Sequence, residues 1–306
     1  MDRSNPYFKQ VALLVKILPI LNEVPDFAMK GGTAINLFYR DMPRLSVDID
    51  LVYVPIKDRK ISLEEMTAGF RIISDRIKRH FPKVEVQYSI LHKTKYVTRL
   101  LIKAERAVVK IEASPVLRGT VYTPHKKRIC AIAEDSVGFA EVPIVSFEDL
   151  YAGKILAALD RQHPRDLFDI KGLLENEGVT GRFKEAFMVY LISHNRRSLE
   201  IFNPSLLDIE QVFRTDFSGM TTNPVTIEEL TNARYDLIKA INSLFDYRDK
   251  RFLLDFKKGQ PDWTYFNFPH IKDLPAVKWK QHNLNQMSKD ERQKMVLALE
   301  DFFGMS

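Results

Sequence analysis

The most constraining feature of this 306-residue sequence is a change in pattern near Glu177 and Gly178. Before it, β-rich runs alternate with amphipathic helical runs, whereas after it apolar residues recur at helical spacing, as in TIEELTNARYDLIKAINSLF. Single hydrophobic cores stop growing efficiently near ~250 to 300 residues, which favours two domains. We therefore predict an α+β protein, with a small mixed sheet flanked by helices in residues 1–178 and a helical bundle in residues 179–306.

Composition places the chain among ordinary soluble proteins, with 45% hydrophobic and 28% charged residues. The first residues, MDRSNPYFKQ, lack a secretion signal, and Lys16 and Pro19 interrupt the apolar run VALLVKILPIL well short of a membrane span. We therefore expect a cytoplasmic protein that does not insert into a membrane. The single cysteine, Cys130, excludes an internal disulfide and, without a histidine pair at ligand spacing, argues against structural zinc.

The local patterns predict a series of helices and strands. Helices are expected at 7–22, 33–40, 63–80, 146–160 and 165–175, and strands at 47–54, 84–90, 96–104 and 107–113. Ser62 and Glu65 match a capping box at the start of the third helix, and Ser146 with Asp149 match a similar signal. Tight connections predict that the last three strands are antiparallel neighbours.

Two acidic residues stand on one predicted strand. Because successive strand residues alternate faces, Asp48 and Asp50 point the same way and Ile49 points to the opposite layer, with the carboxylates about 7 Å apart. Close carboxylates repel unless a cation lies between them, and a hard divalent ion such as Mg²⁺ is the usual one. A pair of ordinary surface acids is the more common reading of D-x-D alone.

The pair Gly31 and Gly32 precedes a predicted helix. Glycines let a backbone approach a ligand closely, and the N–H groups of a helix start attract phosphate, to which Thr33 can add a hydroxyl. A plain strand-to-helix turn is the alternative. Glu112, on a later predicted strand, offers a third acid for metal binding or for accepting a proton from an attacking hydroxyl, or else forms a cross-strand salt bridge.

The positive charge is concentrated in one block. Residues 54–130 hold 18 lysines and arginines against 7 aspartates and glutamates, although the whole chain carries only +6. Such a block favours a polyanionic partner, and a solvated basic surface is the alternative. An aromatic run in the second half either stacks on nucleic-acid bases or, as we favour, packs the second domain. Its members are Trp263, Tyr265, Phe266 and Phe268.

Three segments together resemble the AbiEii/AbiGii (MenT-like) family of nucleotidyltransferase toxins, within the DNA polymerase β-like superfamily. They are GGTAINLFYRDMPRLSVDID, KIEAS and KILAALDRQHPRDLFDI, within residues 28–176. The resemblance assigns the glycine motif to Gly31 and Gly32, the strand acids to Asp48 and Asp50, and the third carboxylate to Glu112. It also assigns a helix lysine to Lys154 and an R-D-x-x-D signature to Arg165, Asp166 and Asp169.

The resemblance implies a function. Asp48, Asp50 and Glu112 would bind Mg²⁺ or Mn²⁺, and the glycine turn with Thr33 and Lys154 would hold a nucleoside triphosphate. The protein would be a toxin of a toxin–antitoxin or phage-defence system that adds nucleotides to RNA, at the tRNA 3′ end, and blocks translation. A cognate antitoxin encoded nearby is implied, and a monomer is favoured, with the oligomeric state open.

The roles that the resemblance gives to Lys154, Asp166 and Asp169 are consistent with their physical chemistry. Lys154 offers a positive charge to phosphate oxygens, and Asp166 and Asp169 share a helix face from which they can orient Lys154 or the nucleotide. Ion pairs on a surface helix are the alternative. Two other functions stay open: a small-molecule nucleotidyltransferase of the antibiotic-modifying type, and a catalytically inactive RNA-binding or interaction protein that keeps the fold.

Ser46 is a candidate regulatory residue. It precedes Asp48 by two positions, on what we predict to be the same strand face. Phosphorylation or nucleotidylation there would place a dianion where metal and triphosphate bind, and so would silence the enzyme. A turn or strand-edge hydrogen bond is the ordinary role for such a serine.

Overall fold

A seven-stranded mixed β-sheet organises the first part of the chain. The structure, a computed structural model, describes residues 6–104 and 107–305 and divides into two compact units. The first unit comprises Met1–Leu150 with Ser218–Pro224, and the second comprises Tyr151–Phe217 with Val225–Ser306. The domains proposed from sequence, 1–178 and 179–306, remain a prediction.

The sheet brings the two predicted acidic strands together. Its strands are β1 (Phe27–Lys30), β2 (Asp48–Tyr53), β3 (Glu85–Ile90), β4 (Val97–Ala104), β5 (Ala107–Ala113), β6 (His125–Arg128) and β7 (Glu141–Ile144). Their order is β3-β4-β5-β2-β1-β7-β6, in which β2/β5 and β1/β7 are parallel and the other pairs antiparallel. The predicted antiparallel neighbours β3, β4 and β5 are confirmed. Local sequence patterns do not predict the parallel pairing of β2 with β5.

Among the described residues, five α-helices begin in the first unit. They are α1 (Pro6–Ile17), α2 (Gly31–Ala34), α3 (Arg59–His80), α4 (Ala131–Val137) and α5 (Phe147–Arg161). A 3₁₀ turn, Leu18–Glu23, follows α1, and a π-helical segment, Ile35–Tyr39, follows α2. Helix α3 buries an apolar face, on which four residues at helical spacing are fully buried. These are Met66, Phe70, Ile73 and Ile77.

The predicted capping box at Ser62 is wrong. Helix α3 begins one turn earlier, and the Ser62 hydroxyl donates to the Lys57 carbonyl oxygen at 3.1 Å. Glu65 instead accepts hydrogen bonds from the Tyr53 hydroxyl and from the Lys57 ammonium. A contact with β2 therefore takes the carboxylate that local sequence assigned to the cap. The signal at Ser146 is confirmed, since its hydroxyl accepts from the Asp149 N–H at 3.0 Å.

The second unit is helical, as the sequence predicts. Beyond α5 it contains α6 (Pro164–Asn176), α7 (Lys184–Ser193), α8 (Ser198–Phe202), α9 (Glu210–Asp216), α10 (Ile227–Leu244), α11 (Tyr247–Lys258), α12 (Pro275–Gln286) and α13 (Lys289–Phe303). Short 3₁₀ segments lie at Gly181–Phe183, Trp263–Tyr265 and Pro269–Asp273. Among the described residues, none after β7 belongs to a strand of the sheet. No helix in the described part of the chain has the length and apolar character needed to cross a membrane.

Three members of the aromatic run of the second half pack onto α11. The Tyr265 ring stacks on Phe252 with centroids 4.4 Å apart, and Phe266 meets Phe252 edge-to-face at 5.0 Å. Trp263 lies 6.1 Å from Phe252 and 6.3 Å from Phe256. These contacts give the run a packing role within the second unit.

Candidate active site and its family

The turn between β1 and α2 requires glycine at its first position. Gly31 has φ of +78°, a conformation that L side chains rarely adopt, and a Cβ at this position would overlap the Asp50 carboxylate. A Cβ on Gly32 would lie 2.6 Å from Arg44 Nη2 and 3.2 Å from Ser46 Oγ. The glycine pair therefore lets the start of α2 approach the acidic strand closely.

Strand β2 presents both aspartates on one face. Ile49, between them, is fully buried, whereas Asp48 and Asp50 remain partly exposed. In the parallel register with β5, Asp50 stands opposite Glu112 and Asp48 opposite Lys110. Three carboxylates thus share one face of two adjacent strands. Carboxylate oxygens are the ligands that hard divalent cations prefer.

A row of four charged residues crosses the sheet at Asp50. Lys30 on β1 stands opposite Asp50, which stands opposite Glu112 on β5, which in turn stands opposite Arg99 on β4. The two central carboxylates are therefore flanked by one cation on each side. This row limits their mutual repulsion, since like charges on neighbouring strands are destabilising.

Glu112 has two cationic partners. Arg99 Nε donates to Glu112 Oε2 at 2.8 Å, and Lys110 Nζ donates to Oε1 at 2.9 Å. Lys110 Nζ also lies 3.4 Å from Asp48 Oδ2. Partial burial alone would raise the pKa of Glu112, but Lys110 and Arg99 outweigh burial and lower it. Lys110, despite its own burial, has a raised pKa because Glu112, Asp48 and Asp50 stabilise its positive charge.

Asp50 and Lys30 influence each other's protonation. Burial raises the pKa of Asp50, and the nearby carboxylates of Asp48 and Glu112 raise it further. The positive charge of Lys30 lowers it, but the pKa stays above its ordinary value. Desolvation likewise lowers the pKa of Lys30, against the attraction of Asp50 and Glu112. A divalent cation beside Asp50 would offset the cost of ionising a buried carboxylate and would reduce the repulsion between the carboxylates. Both effects favour a metal at this position.

The donor set fits a hard divalent cation in part. Asp48 and Asp50 supply carboxylate oxygens, which Mg²⁺ prefers, and one or two carboxylates commonly suffice for this ion. No cluster of three acidic, histidine or cysteine ligands in metal-binding geometry occurs within residues 6–104 and 107–305. Because Glu112 is held by Arg99 and Lys110, its predicted role as a metal ligand requires that it exchange those partners.

Thr33 and Ser46 join α2 to the chain entering β2. Thr33 is 1% exposed; its Oγ1 lies 2.9 Å from Ser46 Oγ, and it donates to the Asp48 carbonyl oxygen. The predicted strand at 47–54 begins one residue later, at Asp48, so Ser46 precedes the strand and does not lie on its face. The Thr33 hydroxyl is thus used inside the protein, and what the α2 start offers a ligand is its N–H groups.

The second group of predicted residues lies within the second unit. Lys154, on α5, is 7% exposed, and its Nζ lies 2.7 Å from Asp166 Oδ1 and 3.0 Å from Asp169 Oδ2, both on α6. Arg161 also donates to Asp166. Burial opposes ionisation of Asp166, but Lys154 and Arg161 more than offset it, so the pKa of Asp166 falls well below its ordinary value. The two aspartates therefore hold a charged lysine in a fixed position.

Sequence reasoning missed three residues around the glycine turn and the acidic strands, namely Lys30, Arg44 and Arg99. Strand alternation predicts that Lys110 lies on the same face of its strand as Glu112. The pairings of Lys30 and Arg99 depend instead on the order of the strands in the sheet. Arg44 is 2% exposed, and its Nη1 donates to the Leu45 carbonyl oxygen at 3.0 Å. No local pattern marks an arginine in a loop as buried.

Comparison with known proteins assigns the family. The family model described as nucleotidyl transferase AbiEii toxin, type IV toxin–antitoxin system, matches residues 12–283. Comparison with curated proteins finds no match. Among solved structures, the chain is similar to MenT4, a nucleotidyltransferase toxin from Mycobacterium tuberculosis H37Rv, with a TM-score of 0.55, 14% identity, and coverage of 96% of this chain and 93% of that chain. The structural similarity supports the fold, and the family match covers most of the sequence. The chain therefore belongs to the AbiEii family of nucleotidyltransferase toxins, from type IV toxin–antitoxin systems.

Proposed function

We propose that this nucleotidyltransferase uses Mg²⁺, or Mn²⁺, to transfer a nucleotide from a nucleoside triphosphate to an RNA acceptor, the 3′ end of tRNA, in the cytoplasm. The supporting observation is the register that sets Asp50 opposite Glu112 while the Gly31 backbone closes against the Asp50 carboxylate. Glycine turn, carboxylate pair and third acid thus form one surface, as nucleotidyl transfer requires. Modified tRNA would then block translation.

The residues of the first unit have separate roles in this proposal. Asp48 and Asp50 bind the metal, and the N–H groups at Gly31, Gly32 and Thr33 bind triphosphate oxygens, because Lys30 provides no side-chain cap to the start of α2. When bound, the divalent ion supplies Lewis acidity and neutralises phosphate charge. The acceptor hydroxyl oxygen bonds to the α-phosphorus, the bond to the β-phosphate breaks, and pyrophosphate leaves. Glu112 accepts the hydroxyl proton or completes the metal ligands.

Lys154 is proposed to place its ammonium against phosphate oxygens of the nucleotide. Asp166 and Asp169 act as positioning residues, because both contact Lys154 directly and are themselves almost fully buried. Two carboxylates fix the position of the Lys154 ammonium, and a fixed positive charge is what electrostatic stabilisation of a transferring phosphate requires. Substitution of either aspartate is therefore expected to lower transfer by misplacing Lys154.

The basic block between residues 54 and 130 supports RNA as the acceptor. Several of its cations are exposed, among them Lys78, Arg79, Lys83, Lys93 and Lys95. Exposed cations bind phosphate groups and release the counterions that surround RNA, which makes the affinity salt-dependent. A small-molecule acceptor would have no need of so wide a basic surface, and this favours RNA over the antibiotic-type alternative.

The direct test is incubation of the protein with total cellular RNA, Mg²⁺ and each labelled nucleoside triphosphate. We expect label in a tRNA band with at least one nucleotide, and none when RNA is omitted or EDTA is added. Asp48→Asn should abolish labelling, whereas Asp75→Asn, which changes an exposed acid of α3, should not. Labelling of a small molecule without RNA would support the alternative transferase, and unchanged activity of Asp48→Asn would refute the assigned site.

An antitoxin partner follows from the type IV family, and Ser46 is our proposed point of control. Its Oγ lies next to Thr33, close to the Asp48 backbone, so a phosphate or nucleotide added there would occupy the space proposed for the triphosphate. Mass spectrometry of toxin recovered with its antitoxin should find the modified serine. If Ser46→Ala were still silenced fully by the antitoxin, control through this residue would be excluded.

A further inference from the structure

A cavity of about 260 Å³ in the second unit has a strongly cationic lining. Its polar lining consists of Arg197, Ser198, Lys257, Glu291 and Lys294, so three cations surround one carboxylate. The residues come from the chain entering α8, the end of α11, and α13. None of them has a part in the proposed nucleotidyl transfer.

Lys257 is the most unusual member of this lining. It is 1% exposed, and within the described chain no carboxylate forms an ion pair with it. Burial, aided by the positive charge of Lys280, lowers the pKa of Lys257 to about 7. Buried lysines are rare unless paired, and an unpaired one costs stability. A ligand that binds the ammonium would offset this cost in stability.

Ser198 adds an unsatisfied hydroxyl to the same cavity. Its side chain is 2% exposed, and its hydroxyl has no hydrogen-bond partner among the described residues. A buried hydroxyl without a partner ordinarily costs ~1 to 3 kcal/mol. Lys257 and Ser198 are distant in sequence and line one cavity, so a single ligand can satisfy both.

Within the described chain, the carboxylate in the lining forms no ion pair with these cations. Glu291 accepts from the Ser288 hydroxyl at 2.9 Å and from the Ser288 N–H at 3.3 Å, and so caps the start of α13. Arg197 and Lys294 are exposed at the cavity rim. The remaining positive charge matches an anion with more than one negative charge and several acceptor oxygens.

The rest of the lining is apolar and includes Met287 and Met295. The cavity is smaller than the ~300 to 1,000 Å³ of drug-sized pockets, which restricts the ligand to a small molecule. We propose that this cavity binds a small phosphate monoester, whose phosphate contacts Lys257 and Ser198 and whose organic group packs on the two methionines. The site would be a regulatory or accessory ligand site that is independent of nucleotidyl transfer.

Calorimetric titration of the full-length protein in EDTA tests this site. The probes are phenyl phosphate, inorganic phosphate and phenol, which separate the contribution of the anion from that of the apolar group. We expect phenyl phosphate to bind in a saturable one-to-one manner and more tightly than inorganic phosphate, and phenol not to bind. Charge-assisted hydrogen bonds imply that Lys257→Met weakens phenyl phosphate about tenfold or more, and Ser198→Ala several-fold.

Lys289→Met is the matched control, because Lys289 is exposed on α13 and lies outside the cavity lining. It should bind phenyl phosphate as the unmodified protein does. Thermal unfolding without ligand separates a binding role from a structural one: Lys257→Met and Ser198→Ala should unfold at the same or a higher temperature. The proposal fails if the unmodified protein shows no saturable binding, if Lys257→Met binds normally, or if both variants unfold at markedly lower temperatures.

Discussion

The ammonium of Lys110 lies 2.9 Å from Glu112 Oε1, in the same row of carboxylates that the proposed metal site uses. It also lies 3.4 Å from Asp48, so one lysine partly neutralises two acids. A divalent cation at the proposed site would serve the same electrostatic purpose as this lysine. The protein without metal would then depend on Lys110 more than a metal-bound form would.

Lys110→Met is expected to increase the response of the protein to Mg²⁺. Without metal, the variant should lose about 1 kcal/mol of unfolding free energy, because these ion pairs are partly exposed and screened. Added Mg²⁺ should then raise its melting temperature by more than it raises that of the unmodified protein. Lys60→Met, at an exposed position on α3, should leave both values unchanged. Equal Mg²⁺ responses in the three proteins would contradict a metal at Asp48 and Asp50.

Gly31→Ala is expected to abolish nucleotidyl transfer. The substitution combines a positive φ with a methyl group that overlaps the Asp50 carboxylate. Gly178→Ala is the matched control, since Gly178 has φ of +68° and a Cβ there meets nothing within 4 Å. Both variants should lose ~1 to 2 kcal/mol of stability from backbone strain, but only Gly31→Ala should lose activity. Activity retained in Gly31→Ala, measured by labelling of RNA, would show that the close approach to Asp50 is dispensable.

Sequence predicts which side chains share a face of a strand, but it does not predict which strands pair with each other. Period-two alternation predicts that Asp48 and Asp50 share a face, and the structure places them so, because alternation is a property of the strand alone. The parallel pairing of β2 with β5 brings in Glu112 through long-range topology. The pair of Glu112 with Arg99 depends on the register of β4 with β5, and the pair of Glu65 with Tyr53, which displaces a predicted helix cap, depends on the contact of α3 with β2.

The Lys154 group illustrates the same limit on the helical side. Spacing of three residues places Asp166 and Asp169 on one face of α6, and the structure directs both to Lys154. Their nearly complete burial was not predictable, since an R-D-x-x-D sequence equally suits a solvated helix. Burial turns these contacts from weak surface ion pairs into ones whose loss is costly.

Asp166→Asn is expected to destabilise the protein by about 3 kcal/mol, because it removes the charge that balances buried Lys154. The folded-state pKa of Asp166 lies below the ordinary value of 3.8. Its contribution to stability is therefore fully present above that ordinary value and is lost as the pH falls towards the folded-state pKa. Denaturant unfolding from pH 7 to acid should show a smaller acid-induced loss in Asp166→Asn than in the unmodified protein.

Asp236→Asn provides the comparison for Asp166→Asn, because Asp236 is an exposed acid on α10. Its unfolding free energy and acid sensitivity should match those of the unmodified protein. If Asp166→Asn were as stable as Asp236→Asn at pH 7, the ion pair with Lys154 would have no structural weight.

Lys257 should make the protein more stable as the pH rises above neutrality. The folded-state pKa of Lys257 is about 7, compared with an ordinary value of 10.5. Below pH 7 the lysine is protonated in both states and the full burial cost applies. Between about pH 7 and 10.5 the folded state releases the proton first, so the unfolding free energy rises by at most about 5 kcal/mol. The charged groups that face Lys257 are Lys280, Arg197, Glu291 and Lys294.

Lys257→Met isolates this effect, because it retains a long apolar side chain and leaves Lys280 and the other facing charges in place. Its unfolding free energy should exceed that of the unmodified protein at pH 6.5, and the difference should shrink as the pH approaches 10. Denaturant titrations at several pH values measure both quantities, and Lys289→Met gives the baseline for an exposed lysine. A difference that stays constant with pH would mean that Lys257 remains protonated in the folded protein, and hence that a partner compensates its burial.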